Sequence, residues 1–225
     1  MQIFRSGKFL PVVILLFAVL LPSTNIWAHN VNVAMEKAPP GEVFWFYLTL
    51  GVIHIVPYGL DHIVFIIALC LLNTKLKSIL WQATAFTVAH SVTLALSSKN
   101  IIVLPAEIVE PIIALSIVFV AVENILIAEL KGWRVLIVFL FGLIHGLGFA
   151  AALDEIGLPR NQFFNSIISF NIGVELGQIF VIALVYWLVT KPFGKKWWYR
   201  KRVVVPVSVL IAAVATWWTI ERIFL

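Results

Sequence analysis

Residues 51–65 read GVIHIVPYGLDHIVF, and this stretch interrupts the first of several long apolar segments, 43–73. Pro57 lacks a backbone hydrogen-bond donor and restricts the residue before it, and Gly59 follows two positions later. We therefore predict a short helix, a break near Pro57–Gly59, and a second helix after it. A tight hairpin or a re-entrant segment is the alternative. Breaks of this kind are tolerated at membrane depth where the freed backbone lines a cavity or packs against protein.

The whole chain is far more apolar than a soluble domain. Hydrophobic residues make up 62% of its 225 residues, charged residues make up 12%, and the mean hydropathy is +1.04. Soluble domains are nearer half apolar and a quarter charged. Apolar segments of about the length that crosses a bilayer as a helix recur along the sequence. We predict an all-α, polytopic membrane helix bundle with about six transmembrane helices, at 43–73, 78–97, 106–128, 133–152, 163–189 and 203–224.

The N-terminus has the layout of a secretory signal peptide. Arg5 and Lys8 precede an apolar core from Phe9 to Leu21, and a polar stretch then leads to the small residue Ala28. We predict cleavage after Ala28, with an uncleaved first helix as the alternative. The predicted domains are a signal peptide at 1–28, a short periplasmic lead-in at 29–42 and a transmembrane bundle at 43–225.

Basic residues are concentrated in alternate predicted loops. Lys75 and Lys77 follow the first segment, Lys131 and Arg134 follow the third, and six more basic residues lie within 191–202. Loops rich in Lys and Arg face the cytoplasm, so both mature termini are expected outside it. The net charge of +5 is therefore a topology signal. It does not indicate a nucleic-acid partner, and the expected partner is the lipid bilayer.

Ionisable side chains inside the apolar segments converge at one depth. Such groups are expensive in hydrocarbon, so a membrane protein keeps few of them without a use. Here they come from four segments, and the predicted topology places them in the outer half of the membrane. Imidazole with carboxylate is the ligand set of nickel, cobalt, zinc or iron, so we predict one metal site, with a structural polar network as the alternative. The predicted ligands are His54, Asp61, His62, His90, His145 and Glu175.

Other polar residues surround these predicted ligands. Asn171, Glu175 and Gln178 recur at i, i+4 and i+7, on one face of a helix. Hydroxyl and amide groups can hold the imidazole N–H groups that do not bind metal. Glu123 and Asn124 lie deeper in the membrane and are candidates for the next site on the path of an ion. Glu110 lies near the outer end of its segment and is a candidate for the entrance. The predicted supporting and pathway residues are Asn171, Gln178, Glu123, Asn124, Thr87, Ser91 and Glu110.

Read in order, these motifs resemble the HupE/UreJ family, and most closely its second branch. The motifs are HIVPYGLDHIVF (54–65), TAFTVAHSVTLAL (84–96), EPIIALSIVFVAVEN (110–124), FGLIHGLGFA (141–150) and FNIGVELGQ (170–178). The resemblance covers about 43–190. It implies a bacterial inner-membrane protein with a signal peptide and about six helices. Members of the family are regarded as nickel or cobalt permeases that accompany hydrogenase or urease maturation.

The chain departs from the permease branch of that family in two places. The branch has five residues between its first His and its Asp-His pair, whereas this chain has six. In the family motif Phe-His-Gly-x-Ala-His-Gly-x-Glu, this chain has Phe141 at the first His and Gly148 at the Glu. Glu175 and His90 are the residues expected to replace these two ligands.

Three functions are consistent with the sequence. The leading one is a permease for a divalent transition metal, captured at the outer face and released past Glu123. The second is an intramembrane zinc hydrolase in which Glu175 is the general base. Neither HExxH nor GxSxG occurs in the chain, so we predict that it is not an enzyme. The third is a membrane accessory protein that binds metal without transport and serves a metalloenzyme maturation system.

Overall fold

The computed structural model describes residues 31–225, and all regular secondary structure within that range is helical. The predicted all-α class is confirmed. The predicted signal peptide and its predicted cleavage site lie outside the described residues. The helices are α1 Val31–Lys37, α2 Pro40–Ile55, α3 Leu60–Leu72, α4 Leu76–Ser97, α5 Ala106–Leu126, α6 Arg134–Ile156, α7 Phe163–Val185 and α8 Val205–Phe224.

Each predicted apolar segment corresponds to one of these helices or, for the first, to a bent pair. A 3₁₀ turn precedes α7, a π-helical turn and a last α-helical turn extend it, and another π-helical turn precedes α8. In the described part of the chain, four helical runs are long and apolar enough to cross a membrane, or five if the bent pair is one span. The apolar part of α6 is shorter. The four runs are Leu76–Ser97, Ala106–Leu126, Arg160–Phe193 and Arg200–Phe224.

The predicted break in the first segment is confirmed. The helix α2 ends at Ile55 and α3 begins at Leu60, and the two axes meet at 66°. Val56, which precedes the proline, has the extended backbone that this position favours (φ −126°, ψ 116°). The turn brings His54, at the end of α2, opposite His62, in the first turn of α3, with ring centroids 4.7 Å apart.

The predicted lead-in is partly helical, and α2 starts three residues earlier than position 43. Pro40 explains the early start, because proline suits the first turn of a helix, where its missing N–H would have no intrahelical partner. The side-chain amides of Gln162 and Asn165 donate hydrogen bonds to the carbonyls of Ala38 and Pro40. The lead-in is thereby tied to the start of α7.

The long helices pack mainly as three pairs, α2 with α7, α4 with α6, and α5 with α8. In the first pair, a Cβ on Gly51 would collide with the carbonyl oxygen of Phe170, and a Cβ on Gly173 with that of Leu48. Small residues at such crossings let helix backbones approach closely. The two glycines therefore set the spacing of α2 and α7, which carry His54 and Asn171.

The helix α3 lies in the centre of the bundle. Its residues from Phe65 to Leu71 are all buried, and it contacts α5, α7, α4 and α8. The outward faces of the long helices carry exposed Leu, Ile, Val, Phe and Trp side chains. An apolar outer surface around a buried apolar core is typical of membrane-spanning helices.

The Gly51→Ala variant should be less stable than the wild type by about 1–3 kcal/mol, because its methyl group meets backbone atoms that cannot rotate away. Thermal unfolding of the purified protein in detergent measures this loss. The control is Gly41→Ala on the same helix, where a Cβ meets no atom within 4 Å. That variant should unfold at or slightly above the wild-type temperature. Equal melting temperatures for the two variants would contradict the close α2–α7 crossing.

Candidate metal centre

Three imidazoles from three helices meet beside the break. His54 on α2, His62 on α3 and His90 on α4 offer ring nitrogens that all lie within 4.8 Å of one another. The ring of His90 has its centroid 6.1 Å from each of the other two. Nitrogens bound to one tetrahedral ion at 2.0–2.1 Å lie about 3.3 Å apart. A small inward movement of the rings therefore brings three nitrogens to ligating distance.

Each ring of this three-imidazole site has one nitrogen without a partner in the described part of the chain. In the described residues, the Nε2 atoms of His54, His62 and His90 are buried and have no hydrogen-bond partner. A buried polar atom left unpaired is costly, and one such atom on each of three converging rings is unusual. Imidazole nitrogen is a preferred ligand of nickel, zinc, copper and iron. The donor set therefore fits a divalent transition-metal ion.

The hydrogen bonds of Asn171 assign the tautomer of His90. The Asn171 Nδ2 group donates to the carbonyl of Ile167 at 2.8 Å, and its Oδ1 lies 3.3 Å from His90 Nδ1. Because Oδ1 can only accept, Nδ1 must carry the ring proton. The Nε2 atom of His90 then has a free lone pair and no partner among the described residues, as a metal-binding histidine requires.

His145 on α6 adds a fourth imidazole beside the three. Its ring centroid lies 5.1 Å from that of His62. The hydroxyl of Ser116 donates to the carbonyl of Ile113 at 2.6 Å, so its oxygen accepts from His145 Nε2–H at 3.0 Å. The Nδ1 atom of His145 is left as a buried acceptor, again unpartnered in the range 31–225. His145 thus offers a further possible metal-ligating nitrogen next to the three-imidazole site.

A cavity of about 430 Å³ leads to these rings from the end of the bundle where α3 and α5 begin and α8 ends. Three imidazoles, those of His54, His62 and His145, line its inner part. Three carboxylates and one guanidinium line its mouth, an excess of negative charge that attracts cations. These mouth residues are Asp61, Glu110, Glu221 and Arg222, together with the aromatic residues Tyr58 and Trp218.

A family model described as HupE / UreJ protein matches residues 29–222 of the chain. The chain belongs to the HupE/UreJ family. The resemblance inferred from the motifs is confirmed and extends beyond 43–190. HupE/UreJ proteins are associated with nickel or cobalt transport or with urease or hydrogenase maturation, and are transporters or accessory proteins, not known enzymes. Searches of curated proteins and of solved structures gave no match.

In this HupE/UreJ protein the carboxylate of Asp61, a predicted ligand, is engaged at the mouth of the cavity. Arg222 Nη2 donates to both oxygens of Asp61, at 3.1 and 2.9 Å, and Arg222 Nη1 donates to the carbonyl of Glu110. Asp61 therefore lies outside the three-imidazole site, although His62 follows it in sequence. Sequence reasoning missed Arg222, whose signal is an arginine in the last turn of an apolar helix.

Glu175, the other predicted carboxylate ligand of the HupE/UreJ chain, also lies outside the three-imidazole site. Its Oε1 atom accepts a hydrogen bond from the hydroxyl of Thr84 at 2.6 Å. Its Oε2 atom is buried and, within the described chain, has no hydrogen-bond partner. Gln178 lies one turn further along α7 and is 1% exposed. Sequence reasoning missed Thr84, which is one of several hydroxyls on α4.

The inner carboxylate Glu123 is part of a buried ionic network in this HupE/UreJ fold. Arg134 Nη1 lies 3.2 Å from its carboxylate and donates to Asn124 Oδ1 at 3.0 Å. We expected Arg134 in a cytoplasmic loop, and the structure corrects this, because Arg134 is the first residue of α6 and is 1% exposed. The side chain of Asn124 also donates to the carbonyl of Ala68. The network joins α5, α6 and α3.

Two of the predicted supporting hydroxyls bond to their own helix. Thr87 donates to the carbonyl of Ala83 and Ser91 to that of Thr87. Neither holds an imidazole N–H group. Asn171 and Ser116 take that position instead, and sequence reasoning identified only the first of them. Serine is common in membrane helices, so nothing in the sequence distinguished Ser116.

Proposed function

We propose that this HupE/UreJ protein is a permease for a divalent transition-metal ion, nickel or cobalt, and that His54, His62 and His90 bind the ion. The observation that carries the proposal is the convergence of three imidazoles, each with a buried nitrogen unpartnered among the described residues, beside a cavity with an acidic mouth that His54 and His62 line. Neutral imidazoles leave the charge of the ion uncompensated. This suits a site that must bind an ion and then release it.

We place the mouth of the cavity on the periplasmic side of the bacterial inner membrane. The supporting pattern is the basic residues at the opposite end of the bundle, Lys75 and Lys77 after α3 and six more within 191–202. Both mature termini are then periplasmic. The carboxylates at the mouth would concentrate cations, and the imidazoles would capture one of them.

The hydrolase alternative has less support than transport. A general base must lie within hydrogen-bond reach of the metal-bound water. The carboxylate of Glu175 bonds to Thr84 and is not in the three-imidazole site. An accessory protein that binds metal without moving it would share the same imidazoles, so only a transport measurement separates it from a permease.

Purified protein in proteoliposomes should accumulate radiolabelled Ni²⁺ or Co²⁺ in a saturable manner. The variant with His54→Leu, His62→Leu and His90→Leu together should accumulate no more than protein-free vesicles, because it lacks all three nitrogen donors. Metal binding without accumulation by the wild type would reject the permease and favour the accessory protein. Accumulation by the triple variant would reject these histidines as the transport site.

A further inference from the structure

The carboxylates in the interior of the bundle differ in their partners. Among the carboxylates whose side chains the structure describes, three are not exposed, those of Asp61, Glu123 and Glu175. Asp61 is paired with Arg222, and Glu123 is paired with Arg134. Glu175, by contrast, has no cationic side chain within 4.0 Å in residues 31–225. Of these three carboxylates it is the one without an ion-pair partner among the described residues.

The immediate surroundings of Glu175 are polar and incompletely satisfied. The hydroxyl of Thr84 is a partner of one carboxylate oxygen, and the other oxygen is buried without one. Gln178 lies one helical turn further on the same face of α7, close enough for side chains to meet. It is 1% exposed, and neither its Oε1 nor its Nε2 has a hydrogen-bond partner in the described structure. A cation bound here would give both the unpaired amide oxygen of Gln178 and the unpaired carboxylate oxygen of Glu175 a partner.

Two contacts between α4 and α7 place this polar group relative to the three-imidazole site. His90 contacts Asn171, and Thr84 contacts Glu175, so the two helices run antiparallel here. Glu175 follows Asn171 by four residues, which is about 6 Å along the helix axis. It lies on the side towards Lys191, the basic end of the bundle. An ion leaving His90 in that direction would meet Glu175 next.

We propose that Glu175, Thr84 and Gln178 form a second cation site, one helical turn inward from the three imidazoles, through which the transported ion passes. This inference rests on the permease function proposed above. The site offers carboxylate, hydroxyl and amide oxygens, which hold nickel or cobalt less strongly than imidazoles do. An ion is thus captured by nitrogen ligands and handed to oxygen ligands that release it more readily.

The Glu175→Gln variant tests the second site, because it removes the charge and keeps both the size and an oxygen that accepts from Thr84. Co²⁺ binding to the purified variant, followed by visible absorption, should equal that of the wild type. Its uptake of Co²⁺ in proteoliposomes should fall at least ~10-fold, a rise of about 1.4 kcal/mol in the transport barrier. Glu129→Gln, which changes an exposed carboxylate, is the matched control and should transport normally.

A second pair of variants keeps the test valid if Glu175→Gln does not fold. Thr84→Val removes the hydroxyl at constant size and should also slow uptake, whereas Thr84→Ser should restore it. Normal uptake in both Glu175→Gln and Thr84→Val would overturn the second site and leave the permease intact. A folded Glu175→Gln protein that no longer binds Co²⁺ would also overturn it, by placing Glu175 in the three-imidazole site. No uptake by the wild type would overturn the permease and the second site together.

Discussion

Replacing His62 with leucine should weaken Ni²⁺ or Co²⁺ binding by at least ~100-fold. Removing a side chain that only hydrogen-bonds to a metal ligand already lowers the metal affinity by about 10–100-fold, and His62 is proposed as a ligand itself. Leucine is similar in size but has no donor atom, and the ring it replaces lies between the rings of His54 and His145. The variant also removes a buried nitrogen that has no hydrogen-bond partner in the described chain, so thermal stability should not fall. A Co²⁺ titration followed by absorbance, or calorimetry with Ni²⁺, gives the affinity.

Phe65→Leu is the matched control for this variant. Phe65 lies one turn later on α3, and its buried ring contacts Phe86 and His145 but offers no ligand. Its loss should lower stability and leave the metal affinity within a few-fold of the wild type. If His62→Leu instead binds metal as the wild type does, the three-imidazole site is not the binding site.

Arg134→Met should destabilise the protein by about 3–5 kcal/mol, since breaking a buried ion pair leaves the partner charge uncompensated. The pair is almost completely enclosed, with the side chains of Arg134 and Glu123 exposed by 1% and 4%. The variant also removes the donor that Asn124 Oδ1 accepts from, at the junction of α5 and α6. Thermal unfolding in detergent should show the loss as a large drop in melting temperature.

The double variant Glu123→Gln with Arg134→Met separates the charge from the packing. Replacing both members of a buried ion pair is often nearly neutral, because no charge remains unpaired. We therefore expect the double variant to regain most of the stability that Arg134→Met loses. A double variant as unstable as the single one would mean that the packing of the arginine, and not its charge, stabilises this end of the bundle.

The features that sequence predicted best follow from local chemistry. Proline and glycine within one apolar segment determine the break, whatever the rest of the protein does. Counting positions along helices of alternating direction also put His62, His90 and His145 at one depth, and the rings of His90 and His145 lie 6.1 and 5.1 Å from that of His62. Helix length and direction fix the depth of a residue in a membrane, so residues at one depth on neighbouring helices are candidates for one site.

The features that sequence missed depend on which helices pair. The sequence places Arg134 in a loop, because basic residues near span ends usually mark topology, and it gives Arg222 no role. Their long side chains instead reach carboxylates on other helices. Depth also did not show that Asp61 would pair with Arg222 and Glu175 with Thr84, since a residue's rotation about its helix is fixed only by its neighbours. A contact such as that of Thr84 with Glu175 depends on how α4 packs against α7, which cannot be counted along either helix.

The angle between α2 and α3 has a consequence for the coordination of the ion. His54 and His62 belong to different arms of the bent segment, so the 66° angle sets the distance between two of the three donors. Straightening the segment would separate the two rings and weaken the binding of an ion at the proposed site. The strength of ion binding and the angle between α2 and α3 would therefore change together. An ion held between the two arms at the proposed site would oppose straightening, and straightening would release the ion.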